Sequence, residues 1–260
     1  MFLNRIGCKR KLAKQIIPLF PNHELYLEPF FGCGGLFFNK PLAKYNVVND
    51  LNEDVINCFN VAIKKPQELL EFLEITPIHQ SLLKKWLKEV PENDIERAVR
   101  MVMLSNYTYL GAGTNLRYCT ENQKKLAIAN LKNFLKSDYI KFTSFQATCY
   151  KKFFKNLSFR SELDRNQAFC YSDPPYLNTS NTYTNKFHVI KWGEEDFIEL
   201  LETHIQTGLR FAISEFDDPF VLEACKQRNL NVIRLRERLN LKNRRVEILI
   251  TNYEVQNLLL

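Results

Sequence analysis

The first fifth of the chain carries two short apolar runs with a glycine-rich stretch between them. Residues 25–30 (LYLEPF) and 46–50 (NVVND) each have an acidic residue at or near their end. Short apolar runs bounded by turn residues predict β-strands, and the glycines between them predict a turn that leads into a helix. The pattern therefore predicts a βαβ unit at the start of the chain.

The middle of the chain changes to a helical period. From about residue 53 to residue 135, apolar residues recur at the spacing of amphipathic helices. Residues 105–118 (SNYTYLGAGTNLRY) interrupt this period with glycine, asparagine and aromatic residues. A segment of this kind predicts a long functional loop or hairpin. We therefore expect a helical insertion over residues 53–136 that contains such a loop.

Alternating strands and helices return in the last part of the chain. Together with the first unit, they predict an α/β, Rossmann-like sheet of about seven strands, in which the final strand pair forms an antiparallel edge. This sheet domain would comprise residues 1–52 plus 137–260. The predicted strands are 139–143, 168–172, 209–214, 231–235 and 246–252, and the predicted helices are 147–154, 195–205 and 219–227.

Composition narrows the class of protein. With 260 residues, 45% of them hydrophobic, the chain can bury a large core, which excludes a disordered or fibrous protein. Its net charge of +7 suits nucleic acid or an acidic membrane surface as a partner. No apolar stretch approaches the length of a membrane span and no leader is evident, so we expect a soluble, cytoplasmic protein without a membrane partner.

The cysteines do not predict a structural site. There are seven of them, widely scattered, without a C-x-x-C pair. This pattern supports neither a disulfide framework nor a zinc site, and reduced thiols are the better interpretation.

A glycine-rich turn follows the first predicted strand. Glycines there let the backbone approach a nucleoside ligand, but both the G-x-G-x-x-G spacing and the Lys-Ser/Thr of a phosphate-binding loop are missing. This favours a cofactor without phosphates, such as S-adenosylmethionine. Asp50, after the second strand, could accept both ribose hydroxyls or could instead cap a helix beside Asn52. The candidate cofactor residues here are Glu28, Pro29, Phe30, Gly32, Gly34 and Asp50.

A second candidate site follows the strand at 168–172, where the sequence reads Asp173-Pro174-Pro175-Tyr176. Two prolines make a rigid turn with free carbonyls at the end of a strand. The amino group of adenine is a poor nucleophile, and acceptors on Asp173 and the Pro174 carbonyl would direct its lone pair at a methyl donor. Tyr176 would stack on a base turned out of the duplex, and no metal is required. An ordinary proline-rich turn is the alternative.

The order of these motifs resembles the DNA adenine methylase family (Dam-like, alpha-group) over nearly the whole chain. The family has an opening segment, an F-x-G-x-G turn, a target-recognition insertion and D-P-P-Y, and residues 4–12 resemble its opening G-G-K segment, with Cys8 in place of the second glycine. The resemblance implies a methyltransferase sheet that uses S-adenosylmethionine. It implies that Arg5, Ile6 and Lys9 flank the methionine part and that Phe145 packs on the adenine of the cofactor.

The interrupted helical region supplies candidate DNA contacts. Asn106, Tyr109, Asn115 and Arg117 are residues of the types that read base edges or wedge between bases, because asparagine pairs with adenine and arginine with guanine. A structural hairpin is an equally good interpretation of the same segment.

Three further segments resemble or suit a DNA methylase. Tyr183 belongs to a segment that resembles the family's cover over the target base, and residues 247–253 resemble its closing strand, although sheet packing would explain the latter equally well. Residues 234–245 carry six positive charges, which suit phosphate contacts or simply a solvated hairpin. The candidate phosphate contacts are Lys242, Arg244 and Arg245.

Taken together, these features predict a site-specific DNA adenine N6-methyltransferase that acts on double-stranded DNA, either alone or with a companion restriction endonuclease. One alternative is a methyltransferase for RNA or protein glutamine. Another is a catalytically idle nucleic-acid-binding scaffold.

Overall fold

A mixed seven-stranded sheet forms the centre of the molecule, in the order β3-β2-β1-β4-β5-β7-β6. The computed structural model describes residues 2–5, 7–111, 117, 122–178, 192–239 and 244–255. β7 runs antiparallel to both β5 and β6, and the other pairs are parallel. The strands are β1 Leu25–Glu28, β2 Tyr45–Asn49, β3 Thr143–Gln146, β4 Ala168–Ser172, β5 Arg210–Phe216, β6 Asn231–Leu239 and β7 Arg244–Thr251.

This sheet confirms the predicted α/β class and the antiparallel pair at its edge. The antiparallel strand itself, β7, lies between β5 and the edge strand β6. The prediction of a strand at 139–143 was wrong, because Asp138–Ile140 forms a 3-10 turn and β3 begins only at Thr143. Tyr139 belongs to this apolar segment because its ring packs on Phe37, not because it lies in a strand. Its hydroxyl donates to the Lys40 carbonyl.

Successive side chains of the central strands pack into two different hydrophobic cores, one on each face of the sheet. In β1, Tyr26 belongs to one core and Leu27 to the other, and in β4 Tyr171 and Cys170 divide in the same way. All four side chains are fully buried. Burial on both faces explains why these strands read as continuous apolar runs.

The helices between β2 and β3 pack on the first of these cores. Phe59 of this region lies 5.2 Å, centroid to centroid, from both Phe2 and Phe31. Among the helices described, none combines the length and apolar character that a bilayer span requires. The α-helices are α1 Ala13–Ile16, α2 Glu53–Lys64, α3 Pro66–Ile75, α4 Gln80–Trp86, α5 Asp94–Tyr107, α6 Gln123–Leu135, α7 Tyr150–Lys155, α8 Glu162–Asn166, α9 Glu194–Thr207 and α10 Pro219–Gln227.

Helix α5 continues into the segment predicted as a loop. It ends at Tyr107 rather than before Ser105. Ser105 Oγ and Asn106 Nδ2 both donate to the Val102 carbonyl, so these polar side chains are satisfied by their own helix. Such back-bonding lets residues that usually favour turns lie inside a helix.

Candidate active site

A cavity of about 900 Å³ lies at the carboxyl ends of β1, β2 and β4. β1 has β2 on one side and β4 on the other, so the chain reverses its direction of winding here. Open α/β sheets bind their ligands at such a switch point. The predicted site residues that line the cavity are Arg5, Lys9, Glu28, Pro29, Phe30, Gly32, Asp50, Asp173, Pro174 and Pro175.

The glycine turn forms one end of this cavity, which we call the cofactor end (residues 28–35 and 50). Gly32 has φ +56°, and a Cβ added there would meet nothing within 4 Å. Gly34 has φ +72°, but a Cβ there would overlap the ring of Phe38. Gly34 does not line the cavity. Gly32 therefore leaves open space for a ligand, whereas Gly34 is required for packing.

Asp50 braces this turn with both carboxylate oxygens. Oδ2 accepts a hydrogen bond from Gly32 N at 2.6 Å, and Oδ1 accepts one from Asn52 N at 2.8 Å. The residue that caps helix α2 is Asn52, whose side chain accepts from Asp54 N. Because a carboxylate oxygen has two lone pairs, both oxygens of Asp50 can still accept a hydroxyl.

Aromatic residues and unpaired polar atoms form the adjoining wall. The ring of Phe30 lies 5.5 Å from that of Tyr150 and 6.1 Å from that of Trp192. Arg5 Nη1, the Tyr150 hydroxyl and Trp192 Nε1 are buried and have no hydrogen-bond partner among the described residues. Buried polar groups are normally paired, so these atoms fit a wall that contacts a polar ligand.

The other end, which we call the target end, is a cluster of Lys9, Asp173, Tyr176 and Glu247. Lys9 Nζ lies 2.8 Å from Asp173 Oδ1 and 3.1 Å from Glu247 Oε1. The same ammonium lies 4.4 Å from the centroid of the Tyr176 ring. The Tyr176 hydroxyl donates to Glu247 Oε1. One buried cation thus joins the end of β4 to strand β7.

Burial and charge set the protonation of this cluster. Burial alone would lower the pKa of Lys9, but Asp173 and Glu247 raise it above its ordinary value. Burial raises the pKa of Asp173, and the attraction of Lys9 opposes that shift. Burial also raises the pKa of Tyr176 well above its ordinary value. At neutral pH, Lys9 is therefore an ammonium ion and Tyr176 is a phenol.

A buried histidine supports the strand that leads into the target end. His204 donates from Nδ1 to the Leu200 carbonyl, and its Nε2 lies 2.9 Å from the hydroxyl of Ser172, the residue before Asp173. Burial lowers the pKa of His204 to about 4. The neutral ring therefore accepts from Ser172 at physiological pH.

The structure changes the interpretation of three predicted contacts. Tyr176 is buried against Phe216 at 4.7 Å between ring centroids and does not line the cavity, so a face for stacking opens only if Lys9 moves. Phe145 stacks on Phe59 in the core and does not line the cavity either. Lys9 lines the cavity, and its ammonium contacts Asp173 at the target end.

The predicted DNA contacts separate into buried and accessible residues. The prediction for Asn106 was wrong, because its buried amide donates to the carbonyls of Phe2 and Val102. Arg245 donates to the Leu177 and Asn178 carbonyls just after the Asp173–Tyr176 turn, which favours a structural role over a phosphate contact.

Of the remaining DNA candidates, Tyr109 is exposed, Arg117 is partly buried, and the side chains of the others lie outside the described residues. Tyr109 is 62% exposed, and Arg117 donates its backbone N–H to the Tyr107 carbonyl. Four predicted residues, together with the side chain of Arg244, lie outside the described residues: Ile6, Asn115, Tyr183 and Lys242.

Sequence reasoning missed several residues of the site. Asn49 donates to the Pro29 carbonyl and accepts from Thr148 N, which joins β1 to the segment after β3. Its position just before Asp50 at the end of a strand was the available signal. For Tyr150 and Trp192 no motif was available, because tertiary packing alone brings them to Phe30.

Comparison with known proteins shows the family of this chain. Residues 6–241 match the model of the D12 class N6 adenine-specific DNA methyltransferases. The chain is 27% identical to the modification methylase StsI of Streptococcus sanguinis, with 98% of this chain and 43% of that protein covered. It is also 27% identical to the type II methyltransferase M1.LlaDCHI of Lactococcus lactis subsp. cremoris, with 97% and 95% covered.

A third relative carries the name that the motif order suggested. It is the DNA adenine methylase of Salmonella typhi, which is 24% identical over 92% of this chain and 88% of its own length. The family match spans most of the chain and includes both the glycine turn and the Asp-Pro-Pro-Tyr turn. The chain therefore belongs to the D12 class N6 adenine-specific DNA methyltransferase family.

Proposed function

We propose that this chain transfers the methyl group of S-adenosylmethionine to N6 of an adenine turned out of double-stranded DNA. One observation carries the proposal: Gly32 and Asp50 line the same cavity as Asp173, Pro174 and Pro175. A nucleoside cofactor bound at Gly32 and Asp50 would share this cavity with a base bound at Asp173, Pro174 and Pro175. In-line transfer requires that arrangement, and positioning supplies much of its rate.

The cofactor end suits S-adenosylmethionine. Gly32 leaves room beside the backbone, and Asp50 can accept the ribose hydroxyls with its remaining lone pairs. Arg5 Nη1 is a buried donor without a partner among the described residues, which suits the carboxylate of the methionine part. When bound, this cofactor supplies an electrophilic methyl group on a positively charged sulfur.

At the target end, Asp173 and the Pro174 carbonyl would accept the two amino hydrogens of adenine. These two contacts would draw the amino hydrogens out of the ring plane, which takes the nitrogen lone pair out of conjugation with the ring. The lone pair would then be directed at the electrophilic methyl group that the bound cofactor supplies, and one amino proton would leave through its hydrogen bond to Asp173. Tyr176 would lie against the base once its face is free, after the base has been extruded at a cost of a few kcal/mol.

The helical region 53–136 is proposed to be the target-recognition part of the enzyme. Four of its residues line the cavity: Glu53, Asp54, Val90 and Arg97. The exposed Tyr109 and the partly buried Arg117 would contact base edges. A companion restriction endonuclease is proposed because relatives are named as modification and type II methyltransferases.

A labelling experiment tests this function against its alternatives. The purified chain is incubated with cofactor carrying a tritiated methyl group and, in separate tubes, with duplex DNA, RNA and a protein lysate. We expect label in DNA alone. Label only in RNA or protein would favour the alternative substrates, and no label in any tube would favour an idle scaffold.

A further inference from the structure

The buried ammonium of Lys9 lies where the proposed function places the target base. Its Nζ is 2.8 Å from Asp173 Oδ1, an acceptor proposed for the adenine amine. It also covers the Tyr176 ring at 4.4 Å, the surface proposed for the base itself. The side chain of Lys9 is only 4% exposed, so this ion pair belongs to the protein interior and is not a surface contact.

An ammonium ion in this position can leave Asp173 only if another buried carboxylate keeps it paired. Removing the partner of a buried charge is strongly unfavourable. Glu247, on β7, is fully buried and already lies 3.1 Å from Lys9 Nζ. Glu247 can therefore bind the Lys9 ammonium in place of Asp173, and the ammonium stays buried.

The neighbouring buried carboxylate, Glu215, does not contact the ammonium among the described residues. Glu215 Oε1 accepts from Phe216 N at 2.8 Å, and its Oε2 accepts from Leu177 N at 3.2 Å. Both of its oxygens are thus engaged by the backbone around the catalytic turn. No ion pair joins Glu215 to Lys9 within the described chain, and Glu247 is the carboxylate that contacts both Lys9 and Tyr176.

We infer that Lys9 holds the place of the target amine in the DNA-free protein, and that Glu247 is the positioning residue that receives its ammonium when the base enters. This inference rests on the proposed function. The exchange is balanced, since an adenine N–H replaces the Lys9 N–H at Asp173 while Lys9 stays protonated on Glu247. Neither residue is consumed in the reaction.

Replacing Glu247 by glutamine tests the inference with little change in shape. E247Q can still accept from the Tyr176 hydroxyl, but it removes the charge that competes with Asp173 for Lys9. The readout is the fluorescence of 2-aminopurine placed at the target position of a duplex that the wild type methylates. We expect base extrusion about tenfold weaker in E247Q, with an unchanged Kd for S-adenosylhomocysteine.

Two variants separate this role from simple structural support. K9M removes the ammonium, so we expect K9M to extrude the base at least as well as the wild type and the double variant K9M/E247Q to show no further loss. Y176F removes the other partner of Glu247 and is the matched control, with a much smaller loss expected than in E247Q. Circular dichroism and thermal melting confirm that each variant is folded.

Three results would overturn the inference. These are wild-type extrusion in E247Q, weaker extrusion in K9M, and an E247Q loss that persists in the K9M background. Failure of the proposed function is a separate result, since the wild type itself would then neither methylate DNA nor increase the 2-aminopurine signal.

Discussion

The two ends of the cavity differ in whether their polar groups are already paired. At the cofactor end, Asp50 fixes the backbone of Gly32, and buried polar atoms such as Arg5 Nη1 lack partners among the described residues. At the target end, Lys9, Asp173 and Glu247 already satisfy one another. A ligand at the cofactor end would pair with polar atoms that have no partner among the described residues. A ligand at the target end would have to displace an existing ion pair. The comparison suggests that cofactor binding is preorganised and base entry is an exchange.

The largest expected effect is the loss of Asp173. D173A removes the acceptor proposed for the amine, so methyl transfer to DNA should fall by about 10³-fold. The Kd of the cofactor should stay the same, because the residue acts on the base. Single-turnover rates and calorimetric titration measure the two quantities.

The control for this variant is D138N, which changes an exposed carboxylate paired with Lys141. It should leave both the rate and the Kd unchanged. A wild-type transfer rate in D173A would refute the assigned role of the target end.

The next effect concerns the support of the target end and depends on pH. Burial lowers the pKa of His204 to about 4, whereas an unfolded histidine titrates near 6.5. Between these values the unfolded state binds more protons, so the free energy of unfolding falls as the pH falls. His204 should account for about 3 kcal/mol of this loss between about pH 7 and pH 4.

Urea unfolding of the wild type and H204Q at several pH values isolates this contribution. The other shifted groups are present in both proteins and cancel in the difference. H204Q should therefore show a smaller loss of stability on acidification, and equal pH dependence in the two proteins would count against a buried neutral histidine.

A smaller effect is expected at the cofactor end. D50N keeps the shape of Asp50 but turns one acceptor into a donor facing a backbone N–H, at Gly32 or at Asn52. Losing a charge-assisted hydrogen bond to a ribose hydroxyl costs about 2 kcal/mol, so cofactor affinity should weaken by about 30-fold. Calorimetry measures this Kd, and an unchanged value would show that the turn is rigid without Asp50.

The smallest effect separates the two glycines of the turn. Both need a positive φ, which costs an alanine about 1–2 kcal/mol. G34A must in addition move the Phe38 ring, so it should unfold at a lower temperature than G32A. G32A should instead weaken cofactor binding more than G34A does. The opposite order in both measurements would reverse the roles assigned to these residues.

Much of the fold could be predicted because local pattern and tertiary burial agree. β4 and α10 have the predicted bounds, since an all-buried strand and a helix with proline after an Asp cap carry clear signals. Strand-end reasoning also brought the glycine turn and the Asp173 turn to one edge of the sheet. The order of motifs then indicated the family.

The remaining errors concern residues whose partners are set by tertiary contacts. Asn106 has a turn-forming side chain, but its amide is used inside helix α5 and by the Phe2 carbonyl. The pairing of Lys9 with Asp173 joins distant parts of the chain, so no local spacing predicts it. A burial pattern identifies which residues are inside, but it does not identify the partner of each charge.

Nucleoside analysis tests the central claim most directly. Duplex DNA is incubated with the wild type and with cofactor that carries a deuterated methyl group, and it is then digested to nucleosides and examined by mass spectrometry. The account predicts deuterated N6-methyl-2′-deoxyadenosine with the wild type and almost none with D173A. Label on cytosine, or no labelled nucleoside with the wild type, would contradict it.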